Sequence, residues 1–243
     1  MALEVIQQKK QFIESRARIR EFVFGIQDGL ISTVGLLAGV QGATENTLVV
    51  VIAGLTAMFS GAISMAAGSY LSSAAQKEIF DKELREGEKL LETEPYMAAE
   101  GLLKALGEEG LSKEQSYRMV KVLSQERHVF MRTFQEKVFG LGSAEINRPL
   151  QAALVMGLSF IVGAMIPMAP YMLWSGLSAL SVSALLGGIT LFGVGAFKGK
   201  LAGKSIFLSG LEFFLVAVGA AGLGYLIGLV VQYFFPGVNI PAV

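Results

Sequence analysis

The sequence predicts an all-α membrane protein with five transmembrane helices and a helical insert between the second and third. Three observations predict this fold class. Of the 243 residues, 53% are hydrophobic and only 16% are charged, whereas typical soluble domains are about 25% charged. Five apolar stretches reach the roughly 20 residues that a membrane-spanning helix needs. A polar block separates the second stretch from the third, and no strand-like alternation is visible anywhere.

The predicted elements follow one another in a simple order. The spans cover residues 22–42, 47–75, 150–170, 173–197 and 206–234. The chain therefore divides into an amphipathic N-terminal segment with two spans (1–75), a helical insert (76–148) and three further spans (149–243). We expect the lipid bilayer to surround all five spans.

The insert carries helix signals. Pro95 suits the first turn of a helix, and Gly110 is a stop signal. Ser112 followed by Gln115 is a capping box. One apolar stripe then repeats every four residues: Phe130, Phe134 and Val138. These patterns predict a small helical bundle.

Cations define the topology. All 20 Lys and Arg residues lie in the first 20 residues, in the insert, or in the loop 198–204. With five spans these three regions share one side, and Glu45 is the only charged side chain in the opposite loops and tail. The positive-inside rule makes the N-terminus and insert cytoplasmic and puts the C-terminus on the far side. No organelle-targeting extension is visible, so we expect a prokaryotic plasma membrane, with an organelle membrane as the alternative.

Composition excludes several function classes. The chain has no cysteine and a single histidine, His128, so thiolate sites and multi-histidine clusters within one chain are excluded. A net charge of zero implies no bulk attraction to nucleic acid. A ferritin-like iron oxidase needs Glu-x-x-His pairs, but Gln125 stands three residues before His128. We therefore expect neither an enzyme nor a tightly bound cofactor.

Asp28 is the residue of the first span that most needs a chemical explanation. It lies seven residues after Glu21, where the span begins, and so about 10 Å inside the membrane. Small or polar residues follow on the same helical face: Ser32, Gly35 and Gly39. That face suits another helix or a water-filled path, and an ionisable residue inside a span is costly and usually functional. The alternative is an interfacial acid paired with Arg20.

Met65 is the candidate partner of Asp28 on the second span. It lies eleven residues before Gln76, about 16 Å from that end of the helix, so we expect both residues at similar depth. A carboxylate oxygen together with a thioether sulfur suits a first-row transition metal better than Mg²⁺ or Ca²⁺. For any single methionine, core packing is the alternative.

Four insert residues are candidate metal ligands. Glu83 and Glu86 are three residues apart without an obvious internal cation, and Met131 and Glu136 on the last insert helix offer sulfur and oxygen. The alternatives are an exposed acidic edge for the glutamates and core packing for Met131. In the fifth span, Glu212 lies about two turns from Lys204, and we expect these two to pair.

Small-residue motifs predict close helix packing within a chain or between chains. Three such pairs lie in the spans: Gly35 with Gly39, Gly195 with Gly199, and Gly224 with Gly228. Motifs of this kind let helix backbones approach closely in membranes. They specify no function.

Four stretches resemble the vacuolar iron transporter family. The first-span stretch FGIQDGLISTVGLLAGVQGA resembles its signature, approximately F-G-x-x-D-G-x-x-S. The likeness continues in GAISMAAGSYLSSAAQKE, in LSFIVGAMIPMAPY and in GAFKGKLAGKSIFLSGLE, and covers essentially the whole chain. The resemblance implies five spans, a cytoplasmic metal-binding insert and a homodimer that exports Fe²⁺, and sometimes Mn²⁺, in exchange for protons. It also implies that Asp28 handles both metal and proton and that Met65 coordinates the metal.

The chain departs from the family pattern at several positions. Many members have Glu where this chain has Ser69, so one carboxylate at the inner mouth is missing. Glu83 and Glu86 match an i, i+3 pair, but Met131 and Glu136 do not fall at the expected spacing before Gly140. The ion store of the insert is therefore weaker, altered in selectivity or lost.

The function expected from these residues is proton-coupled export of Fe²⁺ or Mn²⁺ through a path between two copies of the chain. One alternative is a metal-binding sensor or structural protein that shares the scaffold without transporting. Another is transport of a different substrate through the same path.

Overall fold

A computed structural model of the chain describes residues 16–139 and 148–235. Within these residues eight α-helices follow in order: α1 Arg16–Ala43, α2 Thr47–Thr93, α3 Pro95–Glu108, α4 Lys113–Leu123, α5 Arg127–Val138, α6 Pro149–Met168, α7 Gly176–Leu201 and α8 Ile206–Phe234. A 3-10 turn, Ala169–Met172, extends α6. The predicted all-helical class is confirmed for the described part of the chain.

Five of these helices are long and apolar enough to cross a membrane, as predicted. They are Ile19–Ala43 within α1, the whole of α2, α6 with its 3-10 extension, α7 and α8. The second helix differs from the prediction because it continues past residue 75, without a break, to Thr93. Most residues in 76–93 are good helix formers, and the first strong helix breaker is Pro95.

The chain divides into two compact units. The five-helix unit combines Ser15–Tyr70 with Pro149–Val243, and the insert unit contains the described residues of Leu71–Arg148. Helix α2 contributes its first half to the five-helix unit and its second half to the insert unit. The cytoplasmic location of the insert remains a prediction.

Helix α1 is the centre of the five-helix unit. It packs against α6, α7 and α8, and α7 also packs against α8. Its side chains Leu30, Val34 and Leu37 are at most 1% exposed. By contrast, only 11% of the most apolar stretch of α8 is buried. Such an exposed apolar surface is solvated by lipid in a membrane.

Glycine contacts bring α1 close to two of its neighbours. A Cβ atom added at Gly25 would lie 2.7 Å from the carbonyl oxygen of Met156 on α6. One added at Gly39 would lie 3.1 Å from the carbonyl oxygen of Gly224 on α8. The predicted close packing is therefore confirmed, and these motifs contact each other within one chain. The motif at Gly195 and Gly199 likewise packs within the chain, against Ser209.

The insert unit forms the helices that its sequence signals predict. Helix α3 begins at Pro95 and ends at Glu108. Gly110, the predicted stop signal, follows with a φ of +100°, a left-handed conformation that favours glycine. The Ser112 hydroxyl accepts from the backbone N–H of Gln115 at 3.3 Å, and the Gln115 side chain accepts from the Ser112 N–H at 2.9 Å. Phe130 and Phe134 are buried against α3 residues that include Leu102 and Leu106. The predicted capping box and apolar stripe are confirmed.

The two ends of the five-helix unit differ in charge. The basic end, where α1 begins and α7 ends, carries Arg20, Lys198, Lys200 and Lys204. The opposite end holds the connections 44–46 and 173–175 and the end of α8. Aromatic side chains are exposed there: Trp174, Tyr233 and Phe234. Aromatic belts of this kind mark membrane–water interfaces.

Candidate metal site in the first two membrane helices

Asp28 is half-buried on α1, nine residues after the span begins at Ile19. That places it about 13 Å along the helix. The adjacent Gly29 has no side chain and lies against the backbone of α6 at Phe160. The Ser32 hydroxyl donates to the backbone carbonyl of Asp28 at 2.5 Å. No described residue donates to the carboxylate or forms an ion pair with it, so the carboxylate is free to bind a cation.

Arg20 does not pair with Asp28, which was the alternative explanation of this acid. Its guanidinium instead lies 3.1 Å from the carboxylate of Glu21. Glu21 is only 7% exposed, and its second carboxylate oxygen accepts a hydrogen bond from Ser69 of α2 at 3.4 Å. The interfacial arginine is thus satisfied by its sequence neighbour.

Glu21 has a contact that the sequence did not predict, since it was expected only to mark the start of the first span. It lies two helical turns before Asp28, so both carboxylates share one face of α1. The sequence contained one sign of this arrangement: Glu21 follows Arg20 directly and lies seven residues before Asp28. Ser69 stands where many members of the resembled family have Glu, and here its hydroxyl donates to a buried carboxylate. A second carboxylate at that position would instead repel Glu21.

Met65 is partly exposed on α2 and packs against a buried cluster that includes Met58, Ala62 and Phe160. The Ser69–Glu21 contact sets the register of the antiparallel helices α1 and α2. Asp28 lies seven residues beyond Glu21, and Met65 lies four residues from Ser69 in the same axial direction. The two residues therefore differ in depth by three residues, about 4.5 Å.

Packing around Phe160 gives the same register. Both Gly29 of α1 and Gly61 of α2 lie against this residue of α6, and Gly61 would place a Cβ 2.6 Å from its ring. Gly29 is next to Asp28, and Gly61 is one turn from Met65. The structure thus brings the carboxylate and the thioether to neighbouring levels of the membrane region.

The four candidate metal ligands of the insert are all exposed or partly exposed: Glu83, Glu86, Met131 and Glu136. The expectation that Glu86 has no cation nearby is wrong, because Lys82, one turn earlier on the same helix, lies 3.5 Å from its carboxylate. Glu136 is exposed, and Glu83 and Met131 are partly exposed. No group of three or more His, Asp or Glu residues is arranged to hold a metal within the described residues. Metal binding by these four residues stays a prediction.

Other acidic residues of the insert unit have basic partners. Arg127 lies 2.6 Å from Glu92, and Lys137 lies 2.8 Å from Glu109. The hydrogen bond to Glu109 raises the pKa of Lys137 above its ordinary value. These pairs reduce the number of acidic side chains that are free to attract a cation.

A groove of about 770 Å³ lies between α1 and α8 at the opposite end of the five-helix unit. Its lining is largely apolar and includes Gly39, Val40, Ile227 and Gly228. It contains no carboxylate and lies beyond Asp28 along α1. The groove therefore does not share the chemistry expected of a metal site.

Together, α1 and α2 present two carboxylates, a hydroxyl and a thioether within about three helical turns. Glu21 and Ser69 stand at the basic end, with Met65 and Asp28 deeper. Oxygen and sulfur ligands in combination favour a first-row transition metal. The expected ion pair between Glu212 and Lys204 does not form among the described residues.

Comparison with known proteins identifies the relatives of this chain. The model of the VIT family matches residues 19–229. The chain is 26% identical to vacuolar iron transporter 1 of Arabidopsis thaliana, over 88% of this chain and 86% of that protein. It is 28% identical to vacuolar iron transporter 1 of Oryza sativa subsp. japonica, with 88% and 85% covered. The vacuolar iron transporter of Toxoplasma gondii is also 28% identical, with 88% and 75% covered.

These relatives correct one expectation and support two. The prediction of a prokaryotic plasma membrane is wrong, because the relatives are named vacuolar and come from organisms such as Arabidopsis and Toxoplasma. The five apolar spans are long enough to cross any cellular membrane, so their composition does not identify which membrane holds the protein. The names support metal transport rather than an enzymatic reaction. The family model covers most of the chain, and the chain therefore belongs to the VIT family.

Proposed function

We propose that this protein exports Fe²⁺, with Mn²⁺ as a second substrate, from the cytosol in exchange for protons. The observation that carries this proposal is the Asp28 carboxylate, half-buried within the first span and without a partner among the described residues. A charged group in that setting is costly unless a ligand compensates it. Membership of the VIT family and the names of the relatives support iron as the cargo.

Exchange follows from the chemistry of one carboxyl group. Away from water a carboxyl group favours its protonated form, whereas a nearby cation favours the carboxylate. Asp28 therefore holds either a proton or a share of the metal ion, but not both. Arrival of the metal from one side releases the proton, and arrival of a proton from the other side releases the metal. This alternation couples the two fluxes.

The ligand set requires two copies of the chain. Among the described residues, one copy does not assemble three acidic or histidine ligands. A twofold axis beside α1 doubles Asp28 and Met65 to two carboxylates and two thioethers. Such a set binds a transition metal without any cysteine and without histidine. We therefore propose a homodimer whose transport path runs between the subunits.

We propose that the membrane is that of an organelle, because the relatives are named vacuolar. The positive-inside rule puts the basic end and the insert on the cytosolic side. There the acidic residues of the insert, among them the partly exposed Glu83, the exposed Glu136 and Glu86 beside Lys82, raise the local concentration of cations. Met131 offers a sulfur ligand on the same unit. Export then runs from the cytosol into the organelle.

The proposal is tested by flux in proteoliposomes that contain the purified full chain. We expect Fe²⁺ uptake driven by an opposing pH gradient, accompanied by proton movement. Asp28→Asn keeps the size of the side chain but cannot ionise, and it should reduce flux at least a hundredfold. Met65→Leu should reduce flux less, because the carboxylates remain. Glu45→Gln, in the exposed connection at the opposite end, is the matched control and should transport normally.

Two results would contradict the proposal. Unchanged flux with Asp28→Asn would remove this residue from the mechanism. Saturable Fe²⁺ binding to the wild-type protein with no flux under any gradient would instead favour a sensor or structural protein on the same scaffold.

A further inference from the structure

We propose that the lysine loop, residues 198–204 between α7 and α8, binds the headgroup of an anionic phospholipid in the leaflet at the basic end. The proposal concerns a surface that the candidate metal site does not use. It does not depend on the proposed transport function, so either proposal can fail without the other.

The lysine loop has a positive charge that no described carboxylate neutralises. Lys198, Lys200 and Lys204 are exposed, and none forms an ion pair with a described residue. The sequence has no acidic residue between Glu145 and Glu212, and Glu212 forms no ion pair among the described residues. Several cations of the insert unit, by contrast, lie beside carboxylates: Lys82, Arg118, Arg127 and Lys137. The loop is therefore available to an anion from outside the chain.

Backbone hydrogen bonds hold the loop in one tight turn. The N–H of Ala202 donates to the carbonyl of Lys198 at 3.0 Å, and the N–H of Lys204 donates to the carbonyl of Gly199 at 2.9 Å. Gly203 has a φ of +66°, the left-handed conformation in which glycine commonly ends a helix. Because the turn is fixed, its lysines are presented together, and a ligand loses less entropy in ordering them.

Contacts with α8 also fix the ends of the loop. The Lys198 ammonium lies 4.7 Å from the centre of the Phe213 ring, a cation–π contact that leaves its charge in place. Ser205 caps α8, and its hydroxyl accepts from the N–H of Leu208 at 3.4 Å. The first turn of a helix also presents N–H groups without helical acceptors, and these add positive potential beside Lys204. The lysines, rather than this helix end, supply the charge of the site.

Exposed apolar side chains flank the lysines in the sequence. They lie at the end of α7 and the start of α8, and each is at least 42% exposed: Phe197, Leu201, Ile206, Phe207 and Leu208. Both helices are long and apolar enough to cross a membrane, so the loop lies where two spans leave the bilayer. A soluble anion would gain nothing from this apolar surface. An amphiphilic anion gains from both features, since its headgroup meets lysine while its acyl chains contact the apolar side chains.

An anionic phospholipid therefore matches the charge and the surroundings of the loop. Lysine is a compact charge with three donors, and it binds phosphate oxygens as a point charge. Each lysine close to an anionic membrane surface contributes about fivefold to affinity. The positive-inside rule gives the basic end the cytosolic leaflet, which is the leaflet rich in anionic lipids. Lys200 and Lys204, which lack ion-pair partners and ring contacts among the described residues, are the expected headgroup contacts.

The test measures binding of acyl-chain-labelled phosphatidate to the purified full chain in neutral detergent micelles, by the anisotropy of the label. Phosphatidylcholine with the same label should bind about tenfold more weakly. Lys200→Gln combined with Lys204→Gln should weaken phosphatidate binding about thirtyfold, because two cations are lost. Arginine at both positions should keep near wild-type affinity. Lys113→Gln combined with Lys121→Gln, at exposed positions of the insert, removes the same charge and should bind as wild type does.

Three results would overturn the inference. Wild-type affinity in the Lys200 and Lys204 double glutamine variant would remove the loop from lipid binding. An equal loss in the insert control would show that only the total charge matters. Displacement of the labelled lipid by an equal concentration of inorganic phosphate would assign the loop to a soluble anion. If the double variant does not fold, Lys204→Gln alone decides the question, with an expected loss of about fivefold.

Discussion

At the scale of single residues, the first two helices use buried polar contacts sparingly. Glu21 is nearly inaccessible, yet it accepts one hydrogen bond from Arg20 and one from Ser69. A buried carboxylate without such donors would be strongly destabilised. Asp28 has no comparable donors among the described residues. Glu21 is therefore held by structural contacts, whereas the Asp28 carboxylate, two turns further along α1, is available for an ion.

We predict that Ser69→Glu makes the stability of the protein depend on divalent cations. The new carboxylate would stand against Glu21 and repel it, so the metal-free variant should melt at a lower temperature than wild type. Added Mn²⁺ should then raise the melting temperature of the variant more than that of wild type, because the ion binds between the carboxylates.

Ser72→Glu, at an exposed position one turn further along α2, is the control and should respond as wild type does. An equal Mn²⁺ response of both variants would contradict the prediction. Melting followed by intrinsic fluorescence of Trp174 provides the measurement.

At the scale of helices, α1 and α8 are held together by backbone contact between glycines. A Cβ at Gly224 would collide with the carbonyl oxygen of Gly35 and lie 3.1 Å from its Cα. In lipid there is no hydrophobic force that pulls two apolar helices together, so close packing of backbones becomes a main source of stability.

We predict that Gly224→Ala destabilises the five-helix unit by about 1–3 kcal/mol, the usual cost of overpacking. Gly222→Ala is the matched control on the same helix, because a Cβ there would meet nothing within 4 Å. It should cause no loss, since alanine is the better helix former. Unfolding in detergent micelles measures both. Equal stability of the two variants would show that the α1–α8 contact is looser than described.

At the scale of the whole molecule, the proposed dimer explains an exposed polar face on α1. Ser32 is exposed one turn beyond Asp28, although α1 is the central helix of its unit. A second copy against this strip would remove Ser32 from lipid and bring two Asp28 carboxylates together.

We predict that Ser32→Cys forms a disulfide-linked dimer on mild oxidation in membranes. The natural chain contains no cysteine, so no background cross-link forms. Val162→Cys, which is 54% exposed on α6, is the control and should remain monomeric. Non-reducing electrophoresis separates the products. Cross-linking of Val162→Cys in preference to Ser32→Cys would show that a different face meets the partner.

The sequence by itself determined the helical class, the five apolar spans and the capping box at Ser112. Each of these depends on local composition or on spacing along one helix, which the chain order records directly. Only the tertiary structure decided that Ser69 donates to the Glu21 carboxylate and that Gly35 and Gly39 lie against the backbone of α8. These relations join residues whose contacts arise when helices pack, and the register of packed helices is set by many small contacts at once.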